Sequence, residues 1–306
     1  MGILVIGSSN TDFSLKVKDL PKPGQTVLGD AFLVQAGGKG SNQAVAAARL
    51  GSDVKFCCKV GDDSNGRAAL ESYRKEGIGD EYFLIDKETP SGVAMIFVDS
   101  KGENFIAVAS GANRRMTVQD IDRIESFSDY DIVLTQLEIP IETVTEVCRR
   151  AQGDGAMVVL NPAPACRLTP EILGNVDILT PNETEAQILT GVEIVTEEDA
   201  RKACEVLCEA GVKSVVITLG GKGAYVYSGD TAELVPAYKV DAVDTTAAGD
   251  VFNGALCTAL SEGRPLLSAV RFASASSAIA VTRHGAQDSA PTRESVDSFL
   301  NKINNN

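Results

Sequence analysis

The segment Asp244–Asp250 combines small residues with a carboxylate at the start of an apolar helical stretch. Ala247, Ala248 and Gly249 have almost no side chain, so a ligand can approach their backbone N–H groups closely. At a helix N-terminus these groups are unpaired and the helix dipole favours an anion. Asp250 could take a proton from a hydroxyl while the amides hold charge on a transferred phosphoryl group. The pattern indicates phosphoryl transfer; a capping Asp250 behind a tight turn is the alternative interpretation.

A glycine-rich turn at Gly37–Gly40 precedes an alanine-rich helical stretch that ends near Leu50. The glycines allow a sharp turn and close approach of the backbone to a small ligand, and Lys39 and Asn42 add groups that can hydrogen-bond hydroxyls. The turn is not a Walker A loop, because the pattern GxxxxGKS/T is absent from the chain. A flexible connection between a strand and a helix would also account for this turn.

Other polar or glycine-rich segments follow further predicted strands. If the strands are parallel, their carboxyl ends meet at one edge of the sheet, which is where wound sheets bind ligands. Asn182 and Glu185 also fit an N-x-x-E capping box, so helix capping alone can explain them. These segments are Ser9–Asp12, Gln136–Glu138, Thr180–Glu185 and Thr218–Gly223.

The composition restricts the partners of the protein. The chain of 306 residues has 28 Lys and Arg against 42 Asp and Glu, a formal net charge of −14, which argues against nucleic acid or an anionic membrane as a partner. Seven cysteines without a CxxC pair fit neither a disulfide framework nor a zinc ribbon, and they favour a reducing compartment. No apolar run approaches the roughly 18 residues of a membrane span. We therefore expect a cytoplasmic protein.

Short apolar runs alternate with amphipathic stretches along most of the chain, which predicts βαβ units. The predicted strands are Ile3–Ile6, Val54–Val60, Ile132–Leu134, Met157–Leu160, Ile178–Leu179 and Ser214–Leu219. The predicted helices are Ser41–Leu50, Ser64–Glu76, Thr117–Ser126, Ile141–Gln152, Glu183–Leu189, Glu197–Ala210, Asp250–Ser261, Pro265–Thr282 and Thr292–Lys302. We expect one α/β domain over residues 1–306, with a doubly wound, mostly parallel sheet flanked by helices. Two stretches with alternating apolarity, at about 12–36 and 91–108, predict an antiparallel excursion that forms a small β-sheet lid or a dimer surface.

Taken together, these segments resemble the ribokinase family of carbohydrate kinases over nearly the whole chain. The segments that carry the resemblance are Asn10–Asp12, Gly37–Ala46, Asn161–Pro164, Thr180–Glu185, Asp244–Asp250 and Ala280–Ala286. The resemblance implies a Rossmann-like domain with a small β lid, and transfer of the γ-phosphoryl group of ATP to a sugar hydroxymethyl, converting D-ribose to D-ribose 5-phosphate. It also implies Mg²⁺, a monovalent cation such as K⁺, and a homodimer formed through the lid.

The resemblance also implies roles for individual residues. Asp250 matches the catalytic base, and Ala247, Ala248 and Gly249 match the anion hole. The residues that match sugar-binding positions are Asn10, Asp12, Gly38, Lys39, Asn42, Glu138 and Asp250. Those on the nucleotide side are Asn182, Thr218, Gly220, Gly223, Gly249 and Ser274. Those around the monovalent cation, mostly through backbone carbonyls, are Asp244, Thr246, Ala280, Arg283, Gly285 and Ser289, and Glu185 is associated with Mg²⁺.

The residues leave several alternatives open. A related kinase could act on 2-deoxyribose, another sugar or a nucleoside, although Asn10 and Asp12 beside Gly37–Asn42 favour a furanose with several free hydroxyls. A non-catalytic sugar-binding relative would have no need of the Asp250 carboxylate. An NAD-dependent oxidoreductase has little support, because no GxGxxG follows a predicted strand.

Overall fold

The computed structural model describes residues 2–100, 104–229 and 231–304. The strands are β1 (Ile3–Ile6), β2 (Asn10–Val17), β3 (Gly29–Gly37), β4 (Val54–Gly61), β5 (Phe83–Asp86), β6 (Gly92–Val98), β7 (Asn104–Ala109), β8 (Ile132–Thr135), β9 (Met157–Leu160), β10 (Ile178–Leu179), β11 (Ser214–Thr218), β12 (Gly223–Ser228) and β13 (Thr231–Pro236). The helices are α1 (Lys39–Arg49), α2 (Ser64–Lys75), α3 (Val118–Ile121), α4 (Ile141–Gly153), α5 (Pro170–Leu173), α6 (Glu183–Thr190), α7 (Glu197–Glu209), α8 (Ala248–Ser261), α9 (Leu266–Ala280) and α10 (Arg293–Asn304).

The large sheet has nine strands in the order β13-β12-β11-β10-β9-β8-β1-β4-β5. Its strands are parallel from β5 to β11, and only the edge pairs β11–β12 and β12–β13 are antiparallel. Strand β1 lies between β8 and β4, so the chain winds to opposite sides of β1. Such a reversal opens a crevice at the carboxyl ends of the strands, where α/β sheets bind ligands. The predicted α/β class and mostly parallel sheet are confirmed.

Helices cover both faces of this sheet, as the continuous apolar strands require. Along β1, Ile3 and Val5 pack into one core together with residues of α1, α2, α8 and α9. Leu4 and Ile6 pack into the opposite core with residues of α3 to α7. Strand side chains alternate between the two faces, so a strand buried on both sides must be apolar at every position.

A smaller sheet of four strands, in the order β3-β2-β6-β7, stands beside the carboxyl end of β1. The predicted excursion is present, but the prediction of an antiparallel sheet was only partly right. The pairs β2–β3 and β6–β7 are antiparallel, whereas β2 and β6 are parallel, with Asn10 opposite Gly92. The reason is that β2 and β6 belong to two separate hairpins, and each hairpin enters the small sheet in the same direction.

One predicted helix is wrong in extent. The stretch Thr117–Ser126 forms only the single turn of α3, which starts at a capping box between Thr117 and Asp120. The helix ends at Asp122, and Ser126 caps a separate 3₁₀ turn. Strand β5 and the edge hairpin of β12 and β13 were not predicted. Among the described residues, no helix is long and apolar enough to cross a membrane.

Candidate active site

The glycine-rich turn lies directly against the end of β1. Gly38 has φ 96°, and a Cβ there would lie 2.8 Å from the backbone nitrogen of Asn10. A Cβ at Gly40 would lie 2.6 Å from the backbone nitrogen of Ser8. The Ser41 hydroxyl donates to the carbonyls of Gly37 and Gly38, at 2.6 and 3.0 Å, and holds the turn closed. The glycines are therefore needed for close approach, which brings Lys39 and Asn42 beside the first strand.

Asp250 lies in the first turn of α8 and is only 7% exposed. Helix α8 can pack closely on α1 because Gly254 faces it: a Cβ there would lie 2.6 Å from the carbonyl oxygen of Gln43. As a result, Asp250 Oδ2 accepts from Asn42 Nδ2 at 2.9 Å and Oδ1 accepts from Gln43 Nε2 at 3.0 Å. Burial raises the pKa of Asp250, whereas Lys39 and these two donors oppose the rise.

The start of α8 presents free backbone donors. Ala247, just before the helix, has φ 57°, a left-handed conformation unusual for a residue with a side chain. Among the described residues, no acceptor pairs with the backbone N–H of Gly249 or of Asp250, whereas Ala248 donates to the Thr245 carbonyl at 3.2 Å. A helix N-terminus with unpaired amides attracts an anion, as the sequence pattern predicted.

The carboxyl groups of Asp12, Glu138 and Glu185 and the ammonium group of Lys39 lie near Asp250. The Glu138 carboxylate accepts from the backbone N–H of Lys39 at 3.0 Å and from the Ser8 hydroxyl. A Cβ at Gly37 would lie 2.2 Å from the Asp12 carboxyl group, so Asp12 packs against the glycine turn. Burial, together with the charges of Glu138 and Asp250, raises the pKa of Asp12 to about 6. The carboxyl group of Asp12 is therefore a weaker acid than an ordinary aspartate.

Lys39 supplies the positive charge in this cluster. Burial lowers the pKa of its ammonium group, but the carboxylates of Asp250, Glu138 and Glu185 outweigh burial and raise it overall. Lys39 is therefore charged at physiological pH and balances part of the surrounding negative charge.

The Asn10 side chain at the start of β2 has a fixed orientation. Asn113 is 1% exposed, and its Nδ2 donates both to Asn10 Oδ1 at 2.8 Å and to the Ser9 carbonyl at 3.0 Å. The backbone N–H of Ser9 in turn donates to Asn113 Oδ1 at 2.9 Å. Because Oδ1 of Asn10 is engaged, its Nδ2 is the atom left to donate to a ligand. Asn113 was missed from the sequence, since no local motif marks it.

A cavity of about 710 Å³ lies against the N-terminus of α8, where Ala248 and Gly249 line it. All six residues predicted for the nucleotide side line it: Asn182, Thr218, Gly220, Gly223, Gly249 and Ser274. The sequence did not predict its apolar wall, which includes Ala237, Tyr238, Val240, Phe252 and Ala278. These residues lie on three separate segments, so only the fold brings them together.

Asn182 and Glu185 do form the capping box of α6. Asn182 Oδ1 accepts from the backbone of Glu185, and Glu185 Oε2 accepts from the backbone of Asn182, both at 2.8 Å. Burial raises the pKa of Glu185 and the nearby Asp250 adds to the rise, while the Asn182 amide and Lys39 oppose it. Capping uses one oxygen of Glu185, so Oε1 can still face a ligand. The capping interpretation and a role at the site are compatible.

The residues predicted around a monovalent cation lie on the loop before α8, at the end of α9 and on the loop that follows α9. The Asp244 carboxylate accepts from the backbone N–H groups of Thr246 and Gly285, both at 2.9 Å. These bonds outweigh burial and lower the pKa of Asp244. The backbone N–H of Arg283 donates to the Ala280 carbonyl, and the Ser289 hydroxyl donates to the Ala286 carbonyl. The structure thus brings the two loops together through Asp244, and it does not pair Ser289 with Asp244.

Within residues 2–100, 104–229 and 231–304, no three His, Cys, Asp or Glu side chains form a group that could hold a metal ion. A monovalent cation does not need such a group, because backbone carbonyls can coordinate it. Mg²⁺ in phosphoryl-transfer sites is held by one or two carboxylates together with substrate phosphates. Glu185 beside the cavity fits this second pattern.

Comparison with known proteins agrees with this architecture. The profile described as pfkB family carbohydrate kinase matches residues 2–293. The ribokinase of Haemophilus influenzae is 43% identical over 299 residues, covering 97% of this chain and 98% of that protein. A deoxyribokinase of Salmonella typhi is 38% identical over 302 residues, covering 98% and 99%. The structure of Arabidopsis thaliana ribokinase complexed with ribose and ATP matches with a TM-score of 0.91 and 32% identity, covering 98% of each chain.

Proposed function

Because the chain belongs to the pfkB family of carbohydrate kinases, we propose that it transfers the γ-phosphoryl group of ATP to the hydroxymethyl oxygen of D-ribose, giving D-ribose 5-phosphate and ADP. It is a phosphotransferase with an alcohol group as acceptor. One observation carries the proposal: the buried Asp250 lies between a polar cluster suited to a sugar and a cavity suited to a nucleotide. The full-length similarity to ribokinases, one of them described with ribose and ATP, supports both substrates.

In the proposed complex, ribose lies between the end of β1 and the glycine turn. Asn10 donates through Nδ2, while Asp12 and Glu138 accept from hydroxyls. Asn42 Oδ1 is a buried oxygen without a partner among the described residues, so it can accept a further hydroxyl. Lys39, Gly38 and Asp250 complete the sugar site. Polar groups on several sides of a small ligand fix its orientation, which positions one hydroxyl for reaction.

In the proposed reaction, Asp250 takes the proton of the ribose hydroxymethyl group as the oxygen forms a bond to the γ-phosphorus of ATP. The bond from the γ-phosphorus to the bridging oxygen breaks, and ADP leaves. Ala247, Ala248 and Gly249 stabilise the charge of the transferred group through the N-terminus of α8, where the Gly249 and Asp250 N–H groups have no acceptor among the described residues. The nucleotide extends into the cavity lined by Asn182, Thr218, Gly220, Gly223 and Ser274.

We further propose two cations at this site. Mg²⁺ would be held by ATP phosphates and the Glu185 carboxylate, and when bound it neutralises charge on the phosphates. K⁺ would be held by the Asp244 carboxylate and by oxygens of Thr246, Ala280, Arg283, Gly285 and Ser289. Because these loops adjoin the start of α8, the cation would support the backbone that forms the anion hole.

The experiment that tests the function measures ADP release by a coupled assay with Mg-ATP, over a panel of sugars and nucleosides, with K⁺ or with a large organic cation. We expect ribose to give the highest kcat/KM, and K⁺ to raise turnover. Faster turnover of 2-deoxyribose would instead support the alternative suggested by the Salmonella typhi deoxyribokinase, which is similar over nearly its full length. No turnover of any panel member would contradict the kinase assignment.

Asp12→Asn is expected to stabilise the folded protein above pH 6 and to weaken sugar binding. Because the pKa of Asp12 is raised from 3.8 to about 6, the folded state between these pH values holds a proton that the unfolded state has already lost. Stability conferred by the protonated carboxyl group is therefore lost as pH rises from about 4 to 6. We expect a melting temperature at pH 8 higher than that of the wild type, by about 2 °C or more, and a higher KM for ribose.

Thermal melts at pH 5 and pH 8 check this prediction. The stabilising effect should be smaller at pH 5, where Asp12 is already mostly protonated in the folded state. An equal shift at both pH values would show that charge at Asp12 is not the cause. An unchanged KM for ribose would remove Asp12 from the proposed sugar site.

We propose that the small sheet serves as a lid over the sugar and as the contact of a homodimer. Asp12 faces the sugar cluster, so by alternation Phe13 and the residues in register with it lie on the opposite face. That face carries large apolar side chains, of which Phe32, Val34, Met95 and Phe105 are 50–61% exposed. An apolar sheet face of this kind usually marks an interaction site. A second copy of the same sheet is its proposed occupant.

Phe105→Lys is expected to produce a monomer, since it places a charge on the apolar face of the small sheet, within the proposed contact. Light scattering after size-exclusion chromatography measures the mass of the wild type and variant. Val195→Lys, at a residue that is 68% exposed outside the small sheet, is the matched control and should remain dimeric. A monomeric wild type at micromolar concentration would exclude the proposed dimer.

A further inference from the structure

Gln43 on α1 makes three side-chain hydrogen bonds although it is completely buried. Its Nε2 donates to Asp250 Oδ1 at 3.0 Å and to Asn161 Oδ1 at 3.1 Å. Its Oε1 accepts from Gln136 Nε2 at 2.6 Å. Gln136 and Asn161 follow β8 and β9 and are themselves buried. Neither the resemblance nor the proposed mechanism assigns a role to Gln43.

These partners allow only one orientation of the Gln43 amide. If the amide flipped, Oε1 would face the oxygens of Asp250 and Asn161, and Nε2 would face the Gln136 donor. Asn161 is also held in place, because its Nδ2 donates to the Thr180 carbonyl at 3.0 Å. The other donor to Asp250 differs: Asn42 uses Nδ2 for the carboxylate, and its Oδ1 has no partner among the described residues.

The network also closes back onto α8. The Thr180 hydroxyl donates to Asn253 Oδ1 at 2.6 Å, and Asn253 Nδ2 donates to the Gly249 carbonyl at 2.8 Å. Buried amides therefore connect the carboxyl ends of β8, β9 and β10 with the helix that carries Asp250. Apart from Gln136 Oε1, which has no partner among the described residues, each of these amides is hydrogen-bonded through both its oxygen and its nitrogen. A buried hydrogen-bond network of this kind favours one arrangement and restrains the groups around it.

We propose that Gln43 is a positioning residue: fixed by Gln136 and Asn161, it holds the Asp250 carboxylate in one orientation and in its ionised form. The proposal rests on the proposed function, in which Asp250 is the base. A base of this kind must be ionised when the sugar binds and must keep one oxygen in reach of the hydroxyl. Gln43 can do both through one hydrogen bond to Oδ1, leaving Oδ2 to Asn42.

The charges around Asp250 act on its ionisation in opposite directions. Lys39 on α1 favours the ionised form of Asp250, whereas Glu138 after β8 disfavours it. Asp12 on β2 and Glu185 on α6 add negative charge nearby, since Asp250 raises the pKa of each. Burial also disfavours the charged form, and the Gln43 and Asn42 donors act against it. Without the Gln43 donor, the pKa of Asp250 should rise.

Gln43→Met tests the proposal, because Met has a similar length and no hydrogen-bond donor. The pH profile of kcat for the ribose reaction should keep its shape while its acid limb moves to higher pH by about one unit. A one-unit shift lowers the ionised fraction of Asp250 by at most about 10-fold, so at pH 7 we expect kcat to fall by up to about 10-fold from this cause, with the KM for ribose changed less than about 3-fold. This part of the loss should be recovered at pH 9. Gln136→Met, which removes only the group that fixes Gln43, should shift the limb in the same direction by less.

Gln287→Met is the matched control. Gln287 is also a buried glutamine that contacts α1, where its Nε2 donates to the Ser41 hydroxyl at 3.1 Å, but it does not bond to Asp250. The acid limb of the kcat profile of Gln287→Met should coincide with that of the wild type. If the acid limb of Gln43→Met also coincided with that of the wild type, the proposal would be overturned even if kcat fell. Loss of packing alone lowers kcat without moving the acid limb.

A second readout does not depend on turnover. The carboxyl ¹³C resonance of Asp250, assigned by its loss in Asp250→Asn, can be titrated in the protein without substrates. Its midpoint should lie at higher pH in Gln43→Met than in the wild type, and an unchanged midpoint would contradict the proposal. If the wild type turns over no sugar, the proposed function fails, while this titration still decides whether Gln43 controls Asp250. Should Gln43→Met not fold, Gln136→Met supplies both measurements.

Discussion

Asp250→Asn is expected to lower kcat for ribose by about 10²–10⁴-fold, the usual contribution of a positioned general base. Asn has nearly the shape of Asp but cannot accept the hydroxyl proton. The expected loss lies in kcat because the proton moves only as the phosphoryl group is transferred. Binding of ribose, measured by calorimetry, should change by much less.

The structure indicates why this variant should fold. An amide at position 250 has one acceptor oxygen, whereas the carboxylate now accepts from both Asn42 and Gln43. Gln43 cannot flip, since Gln136 and Asn161 hold it. Asn42 can flip, because its Oδ1 has no partner among the described residues. The new amide should therefore turn its oxygen to Gln43 and its NH₂ group to Asn42 Oδ1.

Thermal melts should place Asp250→Asn near the wild type, or above it, because an uncharged group replaces a buried carboxylate whose pKa is raised by burial. Single-turnover measurements with saturating ATP and ribose check the chemical step directly. A kcat within a few-fold of the wild type, in a protein that melts normally, would remove Asp250 from the role of base. Gln287→Met again serves as a control for a buried polar substitution in the same region.

Local sequence patterns predicted the parts of the site that depend on local backbone geometry. The turn at Gly37–Gly40 needs glycines because its backbone touches β1, and the small residues at Ala247–Gly249 mark a helix start with free amides. In the same way, the N-x-x-E pattern predicted a capping box that the structure contains. In each case the physical requirement acts within a few residues, so the sequence shows it directly.

The parts that were missed depend on contacts between distant segments. Asn113 contacts Asn10 across a separation of 103 residues. Gln43 contacts Gln136, Asn161 and Asp250 across separations of 93, 118 and 207 residues. Single buried amides have no periodicity and no motif, so a single sequence does not distinguish them from surface amides. The parallel pairing of β2 with β6 was missed for the same reason, since alternation identifies a strand but not its partner.

The net charge of −14 does not oppose an enzyme that binds ATP, although it provides no long-range attraction for an anion. Attraction has to be local. The free amides at the start of α8 and the Lys39 ammonium supply it, and the proposed cations would add to it. Because a backbone anion site works only when the anion can reach its amides, any side chain that fills the space beside them should weaken binding strongly.

Gly249→Val is expected to abolish most activity, with kcat/KM for ATP reduced by about 10²-fold or more, while the fold is unaffected. A Cβ at Gly249 would meet no atom within 4 Å, and Gly249 lines the nucleotide cavity. The protein therefore has room for the new side chain, but only in the space that we assign to phosphate. Val also has a higher helix propensity than Gly, so Gly249→Val should lower the free energy of unfolding by less than about 1 kcal/mol, if at all.

Gly153→Val is the matched control for this effect. Gly153 is the last residue of α4, and a Cβ there also meets nothing within 4 Å, but it lies outside the cavity. Both variants should melt near the wild type, and only Gly249→Val should lose ATP binding, measured by fluorescence titration with a nucleotide analogue. Ribose binding should survive in both, because the sugar lies on the other side of Asp250. If Gly249→Val bound and used ATP normally, the phosphate could not lie against the α8 N-terminus, and the anion hole would have to be sought elsewhere.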